Sequence, residues 1–252
     1  MAGILLTGCE TPDTSAQATG GTYDRETEVF EEIGGLDFGA VVRAYETLAA
    51  APYRVQIRSA QKDEAGQEIA SETISLRVGA GGAEVVPIAS DGEMSSGFMA
   101  FVVANDSVPD LGTDVAGLWT PEEPSFASAR NRDYYRYSLS ADTVVSGEAC
   151  RSYAVEALDG VAADRMPIRN AQVYTSTADS TILAIRIRRQ DDALFYRERS
   201  SLAMTLRRSS EGSLLPVRRS VEVVVEAPLR STHYFETTQE YEPEGMRAPT
   251  GR

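Results

Sequence analysis

Residues 183–225 read LAIRIRRQDDALFYRERSSLAMTLRRSSEGSLLPVRRSVEVVV, and three alternations within them decide the fold class. Leu183, Ile185 and Ile187 alternate with Ala184, Arg186 and Arg188. Leu202, Met204 and Leu206 alternate with Ala203, Thr205 and Arg207, and Val221, Val223 and Val225 continue the pattern. Side chains on a strand point to opposite faces in turn, so each set predicts a strand with one buried face and one in water. Asp191-Asp192 turns the chain into a short strand over Leu194–Arg199, and Ser209-Ser210-Glu211-Gly212 is a turn by composition.

The same period runs outward in both directions. Upstream lie a tyrosine-rich strand at Asp133–Leu139, a turn at Ser146-Gly147 and a strand at Ala149–Ala157 with Tyr153, Val155 and Ala157 on one face. Ala171–Thr177 follows a loop containing Pro167, and His233–Tyr241 is the last strand. Nearer the start, Tyr53, Val55 and Ile57 alternate with Arg54, Gln56 and Arg58; Lys62–Gln67 is a turn; Ile74, Leu76 and Val78 alternate; Glu84–Ile88 is a further short strand. About ten or eleven short strands with short turns predict a mainly β, antiparallel meander that curls into a barrel.

One segment departs from this period. Phe38, Val41, Val42, Tyr45 and Leu48 recur at steps of three and four, with Asp37 placed to cap the first turn and Pro52 to stop the last. The spacing predicts one amphipathic helix. Between Asp91 and Arg130 the pattern is irregular: Ser95–Asn105 fits a short helix or a strand, and Pro109, Pro121 and Pro124 break what surrounds it. Trp119, the only tryptophan, fits either a plug over a core edge or the rim of a ligand pocket.

The chain opens Met-Ala-Gly-Ile-Leu-Leu-Thr-Gly-Cys, and Leu6-Thr7-Gly8-Cys9 resembles the bacterial lipobox, in which the cysteine receives lipid and the segment before it is removed. Glu10–Tyr23 is rich in Thr, Ser, Gly, Ala and Asp and reads as a tether. Tyr23–Asp37, with six carboxylates against Arg25, reads as a solvated acidic lead-in. The expected division is a signal-peptide remnant at 1–8, a lipid-anchored flexible tether at 9–36, a β-barrel domain at 37–242 and a disordered tail at 243–252. No segment approaches the ~18 continuous apolar residues of a membrane helix, so lipid on Cys9 is the expected anchor.

Charge and composition narrow the functional classes. With 24 basic and 38 acidic side chains the net charge is −14, which disfavours a nucleic-acid partner. Lys62 is the only lysine, a bias that fits a GC-rich genome, a halophile or codon usage alone. Of the two cysteines, Cys9 would be consumed by lipid, leaving Cys150 as a lone thiol. His233 is the only histidine, which excludes sites needing several imidazoles within a monomer. No Gly-x-Ser-x-Gly elbow and no phosphate-binding Gly-Lys loop occur, so no catalytic group, no metal site and no cofactor is expected. Arg186, Arg188, Arg197, Arg199, Arg207, Arg218 and Arg219 read as outward-facing partners in salt bridges, or alternatively as a cationic belt toward anionic headgroups.

The order lipobox, tether, amphipathic helix, strands, broken middle and arginine-bearing meander resembles the LolA/LolB-like family of lipoprotein carriers and receptors. The resemblance spans roughly Asp37–Tyr241 and is carried by Gly147-Glu148-Ala149-Cys150-Arg151-Ser152-Tyr153, Ala171-Gln172-Val173-Tyr174, Leu183-Ala184-Ile185-Arg186 and Leu214-Leu215-Pro216-Val217. It implies a curled, incomplete β-barrel with a capping α-helix, whose apolar hollow receives acyl chains of lipids or lipoproteins. The candidate binding positions are then Val55, Ile57, Ile74, Leu76, Leu183, Ile185, Ile187, Leu202, Met204, Leu206 and Val223, with Phe38, Val41, Val42, Tyr45 and Leu48 as the lid. It also implies a monomer held at the periplasmic face of the outer membrane by its lipid. The alternative is a non-enzymatic structural or envelope-sensor lipoprotein whose barrel is filled by its own side chains.

Overall fold

The computed structural model describes residues 20–82, 84–93, 124–192, 197–226 and 232–244. Cys9, Ser95–Asn105 and Trp119, each given a role by the sequence, lie outside the described residues. Ten strands form one antiparallel sheet: β1 (Tyr53–Lys62), β2 (Glu68–Val78), β3 (Val85–Glu93), β4 (Tyr135–Val145), β5 (Glu148–Ala157), β6 (Ile168–Ser176), β7 (Ile182–Asp192), β8 (Arg197–Arg208), β9 (Leu214–Glu226) and β10 (His233–Pro243). Among the described residues the order is β3-β2-β1-β10-β9-β8-β7-β6-β5-β4, with β3 and β4 at the edges, and the sheet is an incomplete barrel. Arg197–Arg208 is one continuous strand, where the sequence suggests two; Ser200 and Ser201 pair across β7 without interruption.

Among the described residues two α-helices, rather than one, lie on the sheet. The second, α2 (Gly39–Ala49), is the one the spacing predicts, and Asp37 Oδ1 accepts the backbone N–H of Ala40 at 3.0 Å. Its buried stripe is Val41, Ala44, Tyr45 and Leu48, so Val42 sits at the margin, only half-buried. The first, α1 (Gly20–Gly34), is helical where the sequence reading has the end of a tether and a solvated lead-in from Tyr23; residues 9–19 of that tether lie outside the described residues. Val29, Phe30 and Ile33 are buried on one side of α1, while Arg25, Glu28, Glu31 and Glu32 lie on the water side. Glutamate is a good helix former, so an acidic run carrying three well-spaced apolar residues folds once a sheet receives them.

The sheet coils around these helices. Phe38 packs edge-on against Phe126, whose carbonyl accepts the hydroxyl of Tyr137 on β4, while Tyr45 packs edge-on against Tyr241 on β10. Between Phe38 and Tyr45 the chain rises about 10 Å. A flat sheet would hold β4 and β10, six strands apart, about 29 Å from each other. One small layer of side chains spans both only because the sheet curls toward it.

The β4–β5 turn shows how local sequence fixes the hairpin. Ser146 and Gly147 both have positive φ, 51° and 86°, as a two-residue turn matched to strand twist requires. The hairpin tip reaches past its neighbours: Ser146 Oγ donates to the carbonyl of Leu206 on β8 at 3.1 Å. Arg208 ties Glu148 to Asp179 at the same end. Beneath the tip Cys150 is fully buried, and burial pushes its thiol pKa up. Native protein is therefore expected to react with a maleimide at Cys150 at least an order of magnitude more slowly than denatured protein, since only an exposed thiolate is reactive. Equal rates in the two states would contradict this placement.

Candidate functional site

The inner face of the sheet carries the strand residues of the apolar core, and strand register defines it row by row. One row runs Val173, Ile185, Met204, Arg219, Gln239, Ile57 and Ile74 across β6, β7, β8, β9, β10, β1 and β2. A second runs Ala171, Ile187, Leu202, Val221, Thr237 and Ser59 across β6 to β1 by the same pairings. Alternation makes the face; antiparallel pairing aligns it.

The proposed binding positions divide into two groups. Val55, Ile185, Ile187, Leu202, Met204 and Leu206 are buried in the core with the lid residues Phe38, Val41, Tyr45 and Leu48. Ile57, Leu76 and Val221 are only partly buried at its margin, and Ile74 and Val223 are likewise partly exposed. Helices thus cover part of the inner face, and beyond it partly exposed apolar residues on β9 and on β1 and β2 flank the polar Thr237 and Gln239 of β10.

Two residues sit differently from the sequence reading. A register shift between Tyr174 and Thr175 places Ile182 opposite Thr175, so Ile182 enters the main core and Leu183 is buried apart from it. One inserted residue in a ladder turns the following side chain to the other face. Arg219 is the second correction. It stands opposite Met204 and Gln239 on the inner face, half-buried, whereas its neighbour Arg218 points outward. Consecutive strand residues cannot both face water, so reading the two arginines as one outward pair ignored the period of two.

Two residues that join the helices to the sheet were given no such role by the sequence reading. Phe126 is fully buried between α2 and β4, in the segment whose proline breaks hid its role. Tyr153 on β5 donates its hydroxyl to Glu32 Oε2 at 2.8 Å, and Arg151 reaches the same carboxylate, so α1 is pinned by polar contacts as well as by Phe30 against Tyr137. Burial first, and then the bond to Glu32, raises the pKa of Tyr153. Tyr153→Phe is expected to cost about 1.5 kcal/mol, the low end of the range for a hydrogen bond to a charged group because Glu32 is partly exposed, and to be read by denaturant unfolding. No change in midpoint would show that the bond contributes nothing to docking of α1.

The outer face is polar and largely neutralised. Arg54 and Arg77 converge on Glu244 and pull its pKa down, Arg77 the more strongly; Arg58 pairs with Glu68, Lys62 with Glu236 and Arg199 with Glu226. Exposed pairs of this kind contribute about 0–1 kcal/mol each. Among the described residues no three His, Cys, Asp or Glu side chains are placed to hold a metal ion.

No family model matches this chain, and no curated protein does. Among solved structures it is similar to a DUF1329 family protein from Desulfovibrio piger, at 12% identity over 90% of this chain and 95% of that one, with a TM-score of 0.30. It is also similar to a LolA superfamily protein from Nitrosomonas europaea, at 9% identity over 88% and 95%, with a TM-score of 0.25. A third, MucB, is 9% identical over 90% and 95%, with a TM-score of 0.27.

Proposed function

We propose that this chain is a bacterial envelope lipoprotein, anchored by lipid on Cys9, whose inner face binds acyl chains of lipids or lipoproteins without catalysing a reaction. The observation that carries this reading is a set of inner-face apolar residues left partly exposed at the core margin, Val221 and Val223 on β9 and Ile57, Ile74 and Leu76 on β1 and β2, to either side of Thr237 and Gln239 on β10. A sheet that served only to hold its own core would close or cover such a surface, because exposed apolar area is costly. An acyl chain laid against these residues gains about 0.8 kcal/mol for each methylene it buries. Movement of α2 would add the buried positions Val55, Leu202 and Met204 to them. Pockets for apolar ligands have this character, mostly hydrophobic with few polar groups; Arg219 and Gln239 supply those groups in the central row.

The test has two parts. Native mass spectrometry after gentle extraction of the full chain should find co-purified lipid, and a uniformly lipid-free protein from its native envelope would contradict acyl binding. Metabolic labelling with an alkyne fatty acid should mark the wild type and not Cys9→Ser. Equal labelling would remove the anchor from the account.

A further inference from the structure

On the opposite side of the sheet from the helices, the β4–β5 hairpin tip overhangs β6 to β9 and encloses a groove of about 580 Å³. Its floor is made of small residues, Ala184 and Ala203, and its rim carries Arg186 and Arg218. Arg186 has uncharged cross-strand neighbours, Gln172 and Ala203, and its guanidinium lies 5.7 Å from the ring centre of Tyr174. Arg218 lies between Thr205 and Glu240 in the ladder. Neither arginine forms an ion pair with a described carboxylate, whereas Arg199 and Arg208 on the intervening β8 do. In a chain of net charge −14, this recess brings two guanidinium groups to one place.

We infer that this groove is a binding site for a phosphate ester, held between Arg186 and Arg218 with hydroxyl donors from Thr205 and Ser220. The guanidinium fork matches the oxygens of a phosphate and forms short, charge-assisted hydrogen bonds with it. Alanines on the floor leave room for the group, and a volume of this size falls in the range of small-molecule sites. On the overhanging wall Val144 is 67% exposed, an apolar contact for whatever carries the phosphate. The carrier is either a phospholipid headgroup at a membrane surface or a soluble phosphate ester. This site is on the other face from the acyl-binding residues, so it stands or falls independently of the proposed function.

The experiment uses the full chain carrying Cys9→Ser, so that no anchor confuses membrane binding. Glycerol 3-phosphate is titrated by calorimetry at low ionic strength, where screening is weak. Sedimentation is run in parallel with phosphatidylglycerol and phosphatidylcholine vesicles. Arg186→Gln/Arg218→Gln should weaken binding about tenfold or more, while Arg58→Gln, which removes a paired cation, should not. Arg186→Lys/Arg218→Lys, which keeps the charge and loses the fork, should fall between. Loss in both assays, or with the vesicles alone, identifies a headgroup as the carrier; loss with glycerol phosphate alone identifies a soluble ester. Circular dichroism and the melting temperature of the double variant should match the parent, because both side chains are exposed. Failure of the parent to bind either probe, or equal binding by the glutamine variant, would overturn the inference.

Discussion

Phe126→Ala is expected to destabilise the protein by about 3–5 kcal/mol, the range for removing a buried aromatic ring from a packed core. Phe126 is fully buried, meets Phe38 edge-on at 5.8 Å and lies where α2 begins. Its backbone carbonyl also receives the Tyr137 hydroxyl at 2.9 Å, and that bond survives the substitution. The loss is therefore one of packing, and the cavity would lie between helix and sheet. For a domain of this size the melting temperature should fall by roughly 6–20 °C. A shift within a degree or two would mean that Phe126 does not join the helices to β4.

Val41→Glu separates a lid from an ordinary core helix. Val41 is 1% exposed in the apolar layer under α2. A carboxyl there must stay protonated or leave, and keeping a glutamic acid protonated at pH 7 costs about 4 kcal/mol against its ordinary pKa of about 4.3. Because the folded pKa would be raised, the penalty is absent below about pH 4 and grows as pH rises toward the folded value. At pH 7, under the acyl-binding account, α2 detaches before the sheet unfolds. Hydrogen exchange should then show α2 amides unprotected while β5 to β8 stay protected, with the variant closer to wild type at pH 4. Cooperative loss of protection in helix and strands together would make α2 core rather than lid. Val42, half-buried, is a poorer position for this test than the original spacing suggests.

The strands were legible because each one carries its own alternation. Leu183-to-Ile187 and Leu202-to-Leu206 announce strands without help from distant residues, and the helix from Phe38 to Leu48 announces itself by the same logic. What escaped depends on tertiary partners. Nothing local distinguishes an acidic tether from α1; Val29, Phe30 and Ile33 become a helix face only against Tyr137 and its neighbours. The shift that removes Leu183 from the main core comes from pairing with Thr175, which alternation cannot reveal. Phe126 was hidden by nearby prolines, although it is one of the larger fully buried side chains. The candidate binding face was therefore readable as a set of apolar positions. Which of them are fully buried and which only partly was not, because that depends on how helices and sheet pack together.

Acyl binding is tested most directly by titrating a fluorescent fatty acid into delipidated full chain carrying Cys9→Ser, alongside the same protein with Ile57→Asp. Ile57 is partly buried at the core margin, so the variant is first shown to be folded by circular dichroism and its melting temperature, and its aspartate then meets the ligand with a desolvated charge. The account expects saturable binding by the parent and an affinity lower by about tenfold or more in the Ile57→Asp variant. Absence of saturable binding by the parent, or equal affinity in the two proteins, would contradict it.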